Sequence, residues 1–330
     1  MIEQGTMNQC TIEPRNSMIK ENQLADKLLL IRPAAFGHNS ETASTNAFQH
    51  AQSIDDIQLI QQAAIQEFDN LVQVIRGAGV EVLVFEDTLE PVKPDAVFPN
   101  NWMTTHADGS LITYPMLAPS RRAERSENII KSLNGRFTIY QRYSFENYEE
   151  EGLILEGTGS MVLDRVNRIV YACLSPRTHI ELVEKFALLK QYRKLVFHAI
   201  DPLGHPVYHT NVILAMGRQC AVICLDCIAD EEEKEKVVSS LESTHKKIID
   251  LSWDQILQFA GNMLQVVSKE GRPVWLMSEA AKNSLTEDQK QMLEEDGKIV
   301  SSPIPTIEKY GGGSVRCMLA ELFLPEKRTK

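Results

Sequence analysis

Apolar residues along this chain come in short runs that alternate with brief polar turns, and four stretches share one plan. Trp102 to Thr105 turns at His106-Ala107-Asp108-Gly109 and returns as Ser110 to Pro115. Met161 to Leu163 turns at Asp164 to Asn167 and returns as Arg168 to Leu174. Asn211 to Ala215 turns at Met216 to Gln219 and returns as Cys220 to Leu225. Met263 to Val267 turns at Ser268 to Arg272 and returns as Pro273 to Met277. Each reads as a strand, a tight turn and a strand.

Helix signals follow every hairpin. Arg121 to Leu133 stops at Gly135, and Thr178-His179-Ile180-Glu181 reads as a capping box for a helix to Leu189. Asp230 opens a charged helix to Ser243, and Thr286-Glu287-Asp288-Gln289 caps another that ends at Gly297. Near the N-terminus, Leu28 to Ile31 is a strand and Val80 to Phe85 another. Between them Ile54 to Arg76 has helical spacing, with Ile57, Ala64, Phe68, Leu71 and Ile75 on one face. Repeats spaced by about fifty to sixty-five residues point to a repeat architecture.

The fifth hairpin is absent locally but can be assembled from the two ends. Cys317 to Phe323 supplies its outgoing strand and Leu28 to Ile31 its returning strand. Pairing them closes the structure and removes sheet edges. The expected fold is therefore α/β, a five-bladed pseudo-symmetric α/β propeller closed by its N- and C-terminal strands. Residues 27–330 form one catalytic domain, and residues 1–26 form a polar N-terminal extension that frays or caps the fold.

Residues just before each outgoing strand occupy equivalent places and converge in such a ring. They are Asn100 and Asn101, Glu156, His209, Asn262 and Cys317. A Cys–His pair activates a thiol, and a carboxylate orients or charges the imidazole. Gly311-Gly312-Gly313 before Cys317 permits close approach of another group. The neighbouring Arg316 is a cation expected to favour the thiolate.

Composition narrows the function. The 330 residues carry a net charge of -11, which argues against nucleic acid as a partner. At 43% apolar residues, with no run long enough to span a bilayer, no membrane role is expected. The polar N-terminus is no secretory signal, so the six cysteines are expected to be reduced thiols in the cytoplasm. Cys220, Cys224 and Cys227 raise metal or redox chemistry, but they lack a second Cys/His pair at zinc spacing and read as buried hydrophobes. Proline in His205-Pro206-Val207-Tyr208-His209 argues against a helix presenting both histidines to a metal. No metal and no cofactor are expected; a homo-oligomer is left open.

The chain resembles the guanidino-group-modifying enzymes: arginine deiminase, dimethylarginine dimethylaminohydrolase, succinylarginine dihydrolase and glycine amidinotransferase. It is most similar to bacterial arginine-deiminase-related proteins termed citrulline utilisation hydrolases. The likeness is carried by Phe98-Pro99-Asn100-Asn101-Trp102, Leu155 to Asp164, Leu174 to Thr178, Tyr208 to Asn211 and Phe259 to Leu264. The resemblance implies Cys317 as nucleophile, His209 as general acid–base and Glu156 as the acid beside it, bonding substrate nitrogens and keeping His209 protonated. It implies Asp95 as a grip on the guanidino group and Arg177 as the partner of an α-carboxylate, with Asn100, Asn101 and Asn262 also at the substrate. Asn101 departs from the pattern, since deiminases have an acid there, and so does Asn211. The implied activity is cysteine-dependent hydrolysis at a ureido or guanidino carbon, with citrulline, giving ornithine, ammonia and carbon dioxide, as the first reading. Arginine or methylarginine deiminase or dihydrolase, amidinotransferase, and a non-catalytic binding protein are the alternatives.

Overall fold

The computed structural model describes residues 21–43, 45–51 and 56–327. These form five small sheets, each of three strands. In every sheet the middle strand pairs antiparallel with one neighbour and parallel with the other. Lys27–Arg32 lies between Ala320–Glu321 and Glu81–Glu86, with Leu29 opposite Ala320. Ser110–Thr113 lies between Met103–Thr105 and Gln141–Ser144. Ile169–Cys173 lies between Val162–Asp164 and Arg193–Phe197. Cys220–Ile223 lies between Leu214–Met216 and Lys247–Asp250. Pro273–Ser278 lies between Leu264–Val267 and Lys298–Ser302.

The four local hairpins and the strand pair made from the two ends thus form as expected. The parallel third strand is an addition in every sheet except the first, where Val80 to Phe85 was read as a strand. A parallel partner requires a crossover, and the helices supply it. They are Ile57–Gly77, Glu127–Arg136, Ile180–Lys190, Glu231–Ser243 and Glu287–Glu294.

Several boundaries shift for identifiable reasons. Ile54 lies outside the described residues, and Ile57 is exposed while Ile60 and Val72 join the buried face. The helix expected from Arg121 is broken into Pro119–Arg122 and Glu127–Arg136, because Ser126 starts the second piece by accepting from Ile129 N–H. That piece runs through Gly135. Thr178 makes no cap: its hydroxyl is buried with no partner among the described residues, and His179 holds the N-cap place. Asp230 and Thr286 do cap their helices, and Thr286 forms the full capping box with Gln289.

A short helical turn stands at the head of four sheets, directly before the outgoing strand. The turns are Pro99–Asn101, Gly157–Ser160, Thr210–Ile213 and Val315–Met318. Asn211 and Cys317 therefore lie in turns rather than in strands. The fifth sheet is preceded by an irregular turn at Phe259 to Asn262, where Phe259 takes φ 60°. Turn 157–160 packs on both 99–101 and 210–213, and turn 315–318 packs on 99–101. Backbones touch at these junctions. A Cβ on Gly157 would sit 2.3 Å from Asn100 O, and one on Gly261 would sit 2.1 Å from Val212 O. Glycine is required there because another chain segment occupies the side-chain space.

Glu21, Gln23, Leu24 and Ala25, from the end of the N-terminal extension, are buried. Gln23 Nε2 donates to Leu163 O at 3.0 Å, and its Oε1 accepts from Arg165 N–H at 2.8 Å, so this part packs onto the fold rather than fraying. Among the described residues no helix is long and apolar enough to cross a membrane.

Candidate active site

The turns at the sheet heads bring their side chains to one buried cavity. It is lined by Asp95, Asn101, Arg121, Arg177, His209 and Cys317, with Thr42, Asn46, Phe98, Tyr208 and the three glycines Gly311 to Gly313 completing the wall. Room for these groups depends on residues without side chains. A Cβ on Gly159 would lie 2.3 Å from Asn101 Nδ2 and 2.7 Å from His209 Cε1. Gly312, at φ 61°, adopts the left-handed conformation that favours glycine.

Cys317 is held by amides from two other sheets. Asn262 Nδ2 donates to its sulfur at 3.2 Å, and Asn211 Nδ2 reaches it at 3.5 Å. The Cys317 N–H donates in turn to Asn262 Oδ1 at 3.4 Å. Asn262 is not part of the cavity wall, so its contacts are with the cysteine rather than with the space a substrate would fill. Arg316, the cation next to Cys317, is buried. Its Nη1 donates to Leu319 O and its Nη2 pairs with Glu321 at 2.9 Å, at a second cavity away from the first.

His209 and Glu156 form a buried pair, with His209 Nε2 2.8 Å from Glu156 Oε2. A carboxylate only accepts, so Nε2 carries the proton and Nδ1 is the acceptor nitrogen. The other oxygen of Glu156 accepts from Leu117 N–H at 3.0 Å. Arg177 Nη1 and Arg121 Nη1 stand 3.6 and 3.8 Å from Oε2. Burial alone would raise the Glu156 carboxyl, but Arg177, the His209 bond and Arg121 outweigh it and hold it well below the usual carboxylate range. Burial lowers His209 to about 4, against the pull of Glu156 and with help from Arg177 and Arg121. His209 is thus neutral at pH 7, and the expectation that Glu156 keeps it protonated is corrected. The two arginines and the loss of solvent decide this, and neither is visible from the Cys–His–Glu pattern. Glu156 itself lies behind His209, with both oxygens engaged.

Arg177 is buried, and two of its three nitrogens are already bonded. Nε and Nη2 meet Thr45 Oγ1 at 3.1 and 2.7 Å, and Nη2 also donates to Thr42 O. The guanidinium stands 5.1 Å over the Tyr208 ring. Asp95 Oδ2 accepts from Asn39 Nδ2 at 2.8 Å, while Oδ1 has no partner among the described residues. Asn101 Oδ1 accepts from Arg121 Nη1 at 2.9 Å, and Asn101 Nδ2 is likewise unpartnered. Asn100 is fully buried and does not line the cavity; neither atom of its amide has a partner among the described residues.

Sequence reasoning missed Arg121, Glu124 and the loop residues Asn39, Thr42, Thr45 and Asn46. Arg121 was read only as the start of a helix, yet it is buried and doubly bonded to Glu124, at 2.8 and 2.9 Å. Burial raises Glu124 to about 7 against the Arg121 charge. The Asn-, Ser- and Thr-rich composition of residues 36–48 was the available signal for the loop.

Residues 32–324 match the family model described as N,N dimethylarginine dimethylhydrolase, eukaryotic. The chain belongs to this family. It is accordingly a hydrolase acting on carbon–nitrogen bonds other than peptide bonds. No curated protein matches it. Among solved structures it is similar to the N-terminal domain of ArgZ covalently bound to a reaction intermediate, with TM-score 0.70 and 16% identity over 91% of this chain and 98% of that one. Unliganded ArgZ, an arginine dihydrolase from the ornithine–ammonia cycle in cyanobacteria, gives TM-score 0.70 at 17% identity, and this chain spans 41% of its length. A dimethylarginine dimethylaminohydrolase adduct with S-methyl-L-thiocitrulline gives 0.62 at 15% identity, over 91% of this chain and all of that one. At such identities the likeness is one of fold. These neighbours are guanidino-modifying enzymes of the pentein fold, as the resemblance of the sequence implied.

Proposed function

We propose that this family member hydrolyses the ureido group of citrulline, or a close ureido amino acid, to ornithine, ammonia and carbon dioxide, as a citrulline utilisation hydrolase. The observation that carries the reading is the charge of the cavity wall. Two guanidinium groups, Arg121 and Arg177, face one carboxylate, Asp95, and an amide, Asn101, stands where a deiminase has an acid. A wall of this charge disfavours a cationic guanidinium and suits a neutral ureido group on a molecule with an α-carboxylate. The unpartnered Asn101 Nδ2 and Asp95 Oδ1 add a donor and an acceptor, which a ureido carbonyl and N–H can each meet.

In this reading Cys317 loses its proton to neutral His209 and attacks the ureido carbon. The donors on Asn211 and Asn262 meet the sulfur as it gains charge. His209, now an imidazolium held by Glu156, protonates the departing nitrogen, and the carbon–nitrogen bond breaks. Water activated by His209 then releases the S-carbamoyl group, and the resulting carbamate loses carbon dioxide. No cofactor is used. Residues 27–330 act as one catalytic domain, its five sheets closing as a propeller around the cavity.

Arginine is the second reading, favoured by the free oxygen of Asp95 and the ionised Glu156. Comparing kcat/KM for citrulline and arginine in the wild type and in Asn101→Asp separates them. Citrulline is expected to be preferred, with the preference moving toward arginine when the acid is restored. A wild type that prefers arginine, or a preference unmoved by the substitution, would overturn the assignment.

A further inference from the structure

Arg121 lines the candidate active site, yet each of its nitrogens is engaged by the protein. It belongs to the short helical turn Pro119–Arg122, and Glu124 lies just past the end of that turn, its N–H donating to Arg121 O at 3.0 Å. Both side chains are buried. Arg121 Nε and Nη2 donate to the two oxygens of Glu124 at 2.8 and 2.9 Å, a bidentate clamp that fixes the plane of the guanidinium. Nη2 also reaches Phe98 O at 3.4 Å, and Nη1 donates to Asn101 Oδ1 at 2.9 Å. The clamped guanidinium therefore grips the turn Pro99–Asn101 from both sides.

An asparagine amide has two ends of nearly equal size, one accepting and one donating. A guanidinium only donates, so it can meet only the carbonyl end. With Oδ1 held against Arg121, the NH2 group of Asn101 is turned away from it and has no partner among the described residues. This NH2 group borders the space over Gly159. A Cβ there would lie 2.3 Å from Asn101 Nδ2 and 2.8 Å from His209 Nδ1. The donor end of the amide thus stands beside the imidazole assigned to proton transfer.

We propose that Arg121, clamped by Glu124, is a positioning residue that turns Asn101 so that its NH2 group, not its carbonyl, meets the substrate and selects a ureido oxygen. The proposal rests on the reading that the cavity takes a ureido amino acid. A ureido group presents a carbonyl acceptor to that NH2 group, whereas a guanidinium presents only donors and would set donor against donor. Without Arg121 the amide loses the bond that fixes its sense, and its carbonyl can turn toward a guanidinium instead.

Ligand binding to the full chain carrying Cys317→Ala, measured by calorimetry, tests this without depending on turnover. Arg121→Met and Asn101→Ala are introduced singly and together. Arg121→Met is expected to weaken citrulline binding roughly tenfold to a hundredfold, the loss of one hydrogen bond to a charged group. With Asn101→Ala already present, the same change is expected to cost less than about threefold. Arginine binding is expected to strengthen on Arg121→Met, and more so with Asn101 in place than with Asn101→Ala. A citrulline loss equal in both backgrounds overturns the inference, because Arg121 would then touch the ligand directly, and so does no loss at all. If citrulline does not bind, the ureido reading fails by itself; arginine then decides the role of Arg121, and an equal change in both backgrounds overturns it. Binding of neither ligand overturns both. Glu124→Gln keeps the shape and loosens the clamp, so it is expected to show the same coupling to Asn101 at smaller amplitude. That variant decides the matter if Arg121→Met does not fold.

Discussion

His209 and Cys317 show how the environment of a residue fixes its role. In the folded chain His209 is lowered from 6.5 to about 4, first by burial. Between those values the unfolded chain binds more protons than the folded one, so stability rises with pH across the window and falls as pH drops below about 6.5. Glu156, lowered in the fold, adds to the loss at still lower pH. The His209 shift corresponds to up to about 3 kcal/mol. Urea unfolding of the wild type between pH 4 and 7 is expected to show this slope, and His209→Asn to flatten it. The same shift sets the activity profile. If His209 is the base, the acid limb of kcat/KM falls below pH 5, and a limb centred near 6.5 would contradict the assignment. Cys317 is expected to carry the covalent intermediate. Acid quench during turnover followed by mass spectrometry should find added mass on Cys317, and an active Cys317→Ala enzyme would end the hypothesis.

At the level of elements, the site is built by the turns before the outgoing strands, and these turns fit because of their glycines. Gly159→Ala would place a Cβ against both Asn101 and His209. Overpacking of this kind costs roughly 1–3 kcal/mol. The expected result is a lower melting temperature with a fall in kcat larger than the change in KM, since the displaced groups are those assigned to the chemistry. Unchanged kcat would mean that the turn can move without disturbing His209. The loop of residues 36–48 is tied to the same turns through Arg177, which bonds Thr42 and Thr45. Removing that side chain in Arg177→Ala is therefore expected to raise KM for amino-acid substrates and to increase protease cleavage within the loop.

For the whole molecule, the pairing of the first and last described strands is the long-range closure on which the nucleophile depends. Glu321, opposite Leu28, holds the buried Arg316 that directly precedes Cys317. Glu321→Ala leaves that charge uncompensated, at a cost of roughly 3–5 kcal/mol. Replacing both partners by apolar residues, as in Arg316→Met with Glu321→Leu, is expected to recover most of the loss. A loss in the double variant equal to the sum of the losses from the two separate changes would show that the pair contributes nothing beyond its separate contacts. Thermal unfolding at fixed pH reads this cycle directly.

Local pattern sufficed for the repeated hairpins, because a strand, a polar turn and a returning apolar strand leave their signal within about a dozen residues. The repeat also carried the union of the two termini and the meeting of Cys317 and His209 at one cavity, since equivalent places in equivalent units must face alike. The third strands in sheets two to five escaped, because they are short and carry polar residues: Gln141–Ser144 is largely exposed, and Lys247–Asp250 has only two apolar residues between exposed ends. Other features depended on contacts between residues far apart in the chain. Arg121 became a site residue only when Asn101, Asp95 and Glu156 surrounded it, and Asn262 became a partner of Cys317 only across two sheets. The protonation of His209 belongs to the same class. Burial and the sum of neighbouring charges set it, and only the folded chain has those.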